Sequence, residues 1–144
     1  MIGKIVTGKS FGGAVEYVLR KEKARLLDSD GVDTESIRSI IDDFNFQRKA
    51  RREIAKVVGH ISLSFHRDDA PTLTDGRMRE LAAAYMECMG IADTQYIVAR
   101  HNDTEHPHLH IIFAKNLHIR NENNTYSHPF CPAIPASVVK SRPP

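Results

Sequence analysis

Four of the eight histidines stand within ten residues, in the stretch R-H-N-D-T-E-H-P-H-L-H-I-I-F at Arg100–Phe113. Imidazole suits Zn, Cu, Fe or Ni better than Mg. A set of three leaves coordination positions open for water or substrate, as catalytic sites do and structural sites do not. Spacing decides whether the rings can converge. Side chains alternate across a strand, so His108 and His110 share one face of the apolar segment Leu109–Ala114. His101 closes the preceding apolar run, Tyr96-Ile97-Val98-Ala99, and the polar Asn102–Glu105 makes a hairpin turn. Antiparallel pairing about that turn brings His101 opposite His108 or His110, and three imidazoles meet at one point. His106 precedes Pro107, which biases it to an extended conformation beside the turn; it stays outside the ligand set. The competing reading is a polar hairpin that binds nothing.

The elements that must position this hairpin follow from periodicity. Met1–Thr7 reads as a first strand, and Ser10 can cap a helix. Phe11, Ala14, Val15, Val18 and Leu19 form the stripe of an amphipathic helix running to about Arg20. At ~100° per residue, Tyr17 falls roughly 130° from the centre of that stripe, off the buried face. Leu26–Gly31 reads as a turn, and Thr34 as the cap of a helix with the stripe Ile37, Ile40, Ile41 and Phe44. Val57–Phe65 reads as a strand and Asp68–Leu73 as a loop. Thr74 caps a third helix, with the stripe Met78, Leu81, Ala82, Tyr85, Met86 and Met89, ended by Gly90. The order β-α-α-β-α-β-β is that of an α+β layer fold. Beyond Asn116 no apolar period places an element, and five of the seven prolines fall in Pro129–Pro144. Residues 1–115 therefore form the expected core and 116–144 a divergent Pro-rich tail, extended or disordered over its last fifteen or so residues.

Composition narrows the classes. A chain of 144 residues is one domain's worth, enough for a single two-layer core. The net charge of +2 is a mild bias, not the field of a protein that coats DNA. The densest basic cluster, Arg48, Lys49, Arg51 and Arg52, is either a solvated helix end or a set of cations for nucleic-acid phosphates. Cys88 and Cys131 lack C-x-x-C spacing, which suggests neither a disulfide framework nor a zinc ribbon. No run is long enough for a membrane span or a signal peptide, so the chain reads as soluble and cytoplasmic. Gly3–Ser10 matches the bare phosphate-loop pattern G-x-x-x-x-G-K-S. Lys4-Ile5-Val6-Thr7 reads as strand, however, and such a loop needs small residues whose N–H groups wrap phosphate. Nucleotide binding is not expected.

Three segments in order resemble the relaxases, the mobilisation nucleases of conjugative and mobilisable plasmids or transposons. They are G-K-S-F-G-G-A-V-E-Y-V-L at 8–19, G-H-I-S-L-S-F at 59–65 and H-N-D-T-E-H-P-H-L-H-I at 101–111. The resemblance runs from about Ile2 to Lys115, and its most specific part is the histidine–hydrophobe–histidine pair. It implies an antiparallel sheet of about five strands with helices packed on it and the metal histidines on central strands. It implies Tyr17 as the nucleophile, His101, His108 and His110 as holders of a divalent metal, and Ser64 as a DNA contact beside the nick. Asp103 would orient a ligand or assist deprotonation. The family works with Mg or Mn; zinc and other transition metals are the ions that ligand preference adds. The implied partners are single-stranded DNA at a transfer origin and accessory mobilisation proteins. The implied reaction is strand-specific nicking through a 5′-phosphotyrosyl intermediate. The tail does not look like the family's continuation, so a truncated relaxase is expected. Two rival readings follow: a metal-dependent hydrolase using bound water, with Tyr17 structural, and a truncated relaxase that binds metal or DNA without nicking.

Overall fold

The computed structural model describes residues 2–51, 55–91, 93–102, 104–115 and 125–126. Strands β1 (Ile2–Gly8), β2 (Arg25–Asp30), β3 (Val58–Ser64), β4 (Tyr96–His101), β5 (His108–Ala114) and β6 (Thr125–Tyr126) form one sheet. Its order is β2-β4-β5-β3-β1-β6, and every pairing is antiparallel. Helices α1 (Phe11–Leu19) and α2 (Ile37–Arg48) cover one face; α3 (Asp75–Met89) covers the other. This is the α+β architecture expected, with five substantial strands and the short β6 among the described residues.

Period-two alternation sorts the central strands between two cores. Ile61, Leu63, Phe65, Leu109, Ile111 and Phe113 pack under α3. Val58, Ile97, Ala99 and Ile112 pack under α1 and α2, where the rings of Phe11 and Phe44 stack at 4.6 Å. Gly59 on β3 leaves the space that the ring of Phe113 on β5 fills. A Cβ there would lie 2.2 Å from Cζ of Phe113, the residue directly across the ladder, so any side chain at that position would force the ring to shift.

The caps explain where the helices begin. Ser10 Oγ accepts the N–H of Gly13, and Thr74 Oγ1 that of Arg77. Gly90, at φ 74°, ends α3 in the left-handed conformation that glycine adopts without strain. Three local readings are corrected. The cap of α2 is Ser36, not Thr34, because Ser36 and Ser39 exchange side-chain-to-backbone hydrogen bonds in a closed capping box. Residues expected as a turn form β2, an edge strand held by β4 and bulged between Leu26 and Asp28. Most of Asp68–Leu73, read as a loop, belongs to a 3-10 helix, Arg67–Thr72. Cys88 on the exposed side of α3 is disulfide-bonded, which the lack of C-x-x-C spacing does not reveal. Gly3–Gly8 is strand throughout, as its β-branched residues require, and not a phosphate loop. Among the described residues, no helix is long and apolar enough to cross a membrane.

Candidate metal centre

The histidine hairpin is β4–β5, and its register selects between the two pairings left open by the sequence. His101 stands directly opposite His108, and Ala99 opposite His110. All three histidines share one face, with ring centroids 5.3 Å apart for His101–His108, 4.3 Å for His101–His110 and 5.4 Å for His108–His110. One ring nitrogen from each lies within 4.8 Å of the others. Metal–imidazole bonds of ~2.1 Å put two ligand atoms of one ion at most ~4.2 Å apart, so a small inward rotation of the rings closes the set.

Each ring is oriented by a neighbour. His101, only 1% exposed, places Nε2 2.7 Å from the carbonyl of Val18. That carbonyl belongs to the last turn of α1, where helical acceptors lack partners within the helix. A carbonyl only accepts, so Nε2 carries the proton and Nδ1 is the nitrogen that can bind an ion. His108 turns Nδ1 to the carbonyl of His106 at 3.1 Å, which leaves Nε2 for the ion by the same argument. His106, excluded as a ligand, thus contributes through its backbone. His110, 7% exposed, has Nδ1 2.7 Å from Nε2 of His60 on β3. Ligating histidines commonly give their second nitrogen to such a partner. The donor set fits a divalent ion bound by neutral imidazoles.

The electrostatics agree. Burial, then the charge of His101, lowers the His60 imidazole to about 4. Burial lowers His110 to about 3, with further contributions from His101, His60, His108 and Lys21. Both rings are neutral at pH 7, the form that metal binding requires.

Tyr17 reaches this centre. Its side chain projects from α1 and is 53% exposed, off the buried stripe. The phenol ring lies 6.0 Å from the His60 ring and 6.1 Å from the His110 ring, centroid to centroid. Lys21 sets its ammonium 4.7 Å from the Tyr17 ring centroid. The same helix end therefore orients His101 through Val18 and presents the phenol. Ser64 pairs with His108 across the β3–β5 ladder and is half-buried. Ser62, opposite His110, and exposed Lys4, opposite Ser62, continue the open face away from the histidines.

The basic cluster lies elsewhere. Arg48 donates to the Lys9 carbonyl and lines a cavity of about 250 Å³ with Asp30, Gln47, Thr94, Gln95 and Ala114, at the other end of the β4–β5 hairpin. Lys49 is exposed. Asp103, Arg52 and the side chain of Arg51 lie outside the described residues. His60 and Lys21 were not singled out from the sequence. The alternation in G-H-I-S-L-S-F puts His60 on the face of Ser62 and Ser64, a signal that was present.

Helices on both faces of an antiparallel sheet, with three imidazoles gathered on its central strands beside an exposed phenol, define an α+β protein with a candidate metal site on its sheet. The family model for the nuclease domain of MobA/VirD2-like relaxases matches residues 17–128, more than half of the chain. The chain belongs to that family of metal-dependent, DNA-nicking mobilisation enzymes. The match runs past residue 115, where the sequence alone set the edge of the core. No curated protein and no solved structure matches the chain.

Proposed function

We propose that this domain nicks one strand of DNA at a transfer origin by transesterification onto Tyr17. The observation that carries this reading is the phenol beside the imidazoles: Tyr17 stands exposed with its ring 6.1 Å from that of His110. His101, His108 and His110 would hold a divalent ion, Mg or Mn by family and zinc by ligand preference, which would supply neutralisation of charge on the scissile phosphate. Tyr17 Oη attacks phosphorus, and its O–P bond forms as the P–O3′ bond breaks. The phenolic proton passes to a base and the departing 3′ oxygen takes one up. The products are a free 3′ hydroxyl and a 5′-phosphotyrosyl link, which keeps the strand ready for rejoining. A phenol is a weak nucleophile unless a base, a cation or a metal activates it, so the placement of Tyr17 matters. Lys21 contributes by holding its charge against the ring, an arrangement worth ~0.5–1 kcal/mol at exposed sites.

Ser64 lies next to the histidines on the same face and contacts the strand beside the nick. Lys4 and Ser62 extend that face, while Lys49, with Arg48, Arg51 and Arg52, supplies cations for more distant phosphates. Asp103, two positions beyond His101, orients a ligand or helps remove the proton. Accessory mobilisation proteins and a cytoplasmic setting complete the reading, with residues 1–115 carrying the whole of the site. Incubation with a labelled single-stranded origin oligonucleotide tests it. A denaturation-resistant adduct that Tyr17→Phe abolishes supports transesterification. Free cleaved products without an adduct would establish hydrolysis by water instead.

A further inference from the structure

We propose that His60 is a positioning residue for the metal site: its Nε2 accepts the Nδ1–H of His110 and so keeps the His110 lone pair on Nε2, free to turn to an ion. The proposal rests on the reading of His101, His108 and His110 as ligands, and begins from a difference among them. His101 and His108 lean on main-chain carbonyls, of Val18 and His106. Such acceptors cannot donate, so the backbone alone fixes which nitrogen of each ring is protonated. His110 has no equivalent. It sits inside β5, between Ser62 of β3 and Ala99 of β4, where carbonyls on both sides are engaged in the ladder. Its orienting partner has to be a side chain, and the diagonal neighbour on β3 supplies one. His60 lies two residues from Ser62 on the same face, within reach of a long side chain, and its Nε2 stands 2.7 Å from Nδ1 of His110.

Two neutral imidazoles can share that hydrogen bond in either direction, and only one direction permits ligation. If His60 donated, the single proton of neutral His110 would sit on Nε2 and block it. If His110 donates, its Nε2 is free and His60 carries its own proton on Nδ1. An acceptor at this place is what the site requires, which explains a histidine at position 60 ahead of the two serines of β3.

Two measurements test the assignment, and neither uses activity. The first is the ¹⁵N NMR pattern of His110 in the metal-free protein at pH 7. The Nδ1–H tautomer is expected, and an Nε2–H tautomer overturns the proposal. The second is calorimetric titration with Mn²⁺ of wild type, His60→Leu, His60→Gln and His108→Ala, with thermal melts to establish that each is folded. Loss of an orienting partner typically lowers metal affinity roughly 10–100-fold. That loss is expected for His60→Leu. His60→Gln, whose Oε1 can accept near the position of Nε2, is expected to recover most of it. Should His60→Leu bind as wild type while His108→Ala loses the ion, His60 has no positioning role and the ligand set stands. Undiminished binding by His108→Ala removes the ligand reading and this proposal with it.

Discussion

Acidifying the metal-free protein from pH 7 to pH 5 is expected to weaken its fold through two buried imidazoles. In the folded state His60 titrates at about 4 and His110 at about 3, against an ordinary value of 6.5, burial being the larger cause for each. A depressed histidine leaves stability intact above 6.5. Below that, the unfolded chain takes up a proton that the folded chain refuses, and stability falls until the folded value is reached. Between pH 7 and pH 5 one such imidazole loses about 1.9 kcal/mol by this linkage. Two give at most ~4 kcal/mol. His60 itself contributes to the depression of His110, and His60 keeps some exposure to solvent, so about 2–4 kcal/mol is the working figure. Against a typical total of ~5–15 kcal/mol this is a large fraction. Urea unfolding followed by circular dichroism, with chelator present, reads the loss directly at the two pH values. Other groups also titrate in this range, so the informative quantity is the difference from a His60→Gln/His110→Gln variant. That variant should lose about 2–4 kcal/mol less than wild type on acidification. Equal losses would refute the claim that these two rings are held neutral by burial.

Three further outcomes follow from the geometry. Gly59→Ala drives a Cβ into the Phe113 ring, so it should cost about 1–3 kcal/mol in urea unfolding and weaken Mn²⁺ binding by shifting β5; a variant as stable as wild type would show that the ring can move aside. Lys21→Met removes the cation over the Tyr17 ring and should slow adduct formation about 2–5-fold, with no loss of Mn²⁺ affinity; an unchanged rate would leave this cation without a role in positioning. Lys49→Ala should reduce the salt dependence of single-strand binding, its log–log slope falling by about 0.7 for each phosphate no longer neutralised; an unaltered slope would place Lys49 off the strand's path.

How far the sequence revealed this arrangement differs from element to element, for physical reasons. The hairpin was legible because period two fixes which residues share a face, and an uninterrupted apolar run on each side of a polar turn leaves little choice of pairing. Its final register, His101 on His108, depends on the conformation of the turn, which residue types alone do not state. Tyr17 was legible because helical periodicity locates a solvent-facing position without knowledge of what packs nearby. Strand β2 was not, since R-L-L-D-S-D has turn-forming residues where it should alternate. Only pairing with β4 makes it a strand, and polar groups with a bulge are common at a sheet edge. Ser36 and Thr34 offer the same cap chemistry two residues apart, and the reciprocal bonds of Ser39 decide between them. The Val18 carbonyl left no sequence signal at all, because it acts through the main chain. His60 did leave one, in the alternation of β3, but its partner lies fifty positions away.

The proposed nicking mechanism is tested most directly by finding which group, if any, becomes joined to DNA. Digestion of the protein–oligonucleotide adduct and mass spectrometry of its peptides should find the nucleotide's 5′ phosphate on Tyr17. A phosphate carried by any other residue, or no adduct with Mg²⁺, Mn²⁺ or Zn²⁺ from protein whose three histidines demonstrably bind the ion, would contradict it.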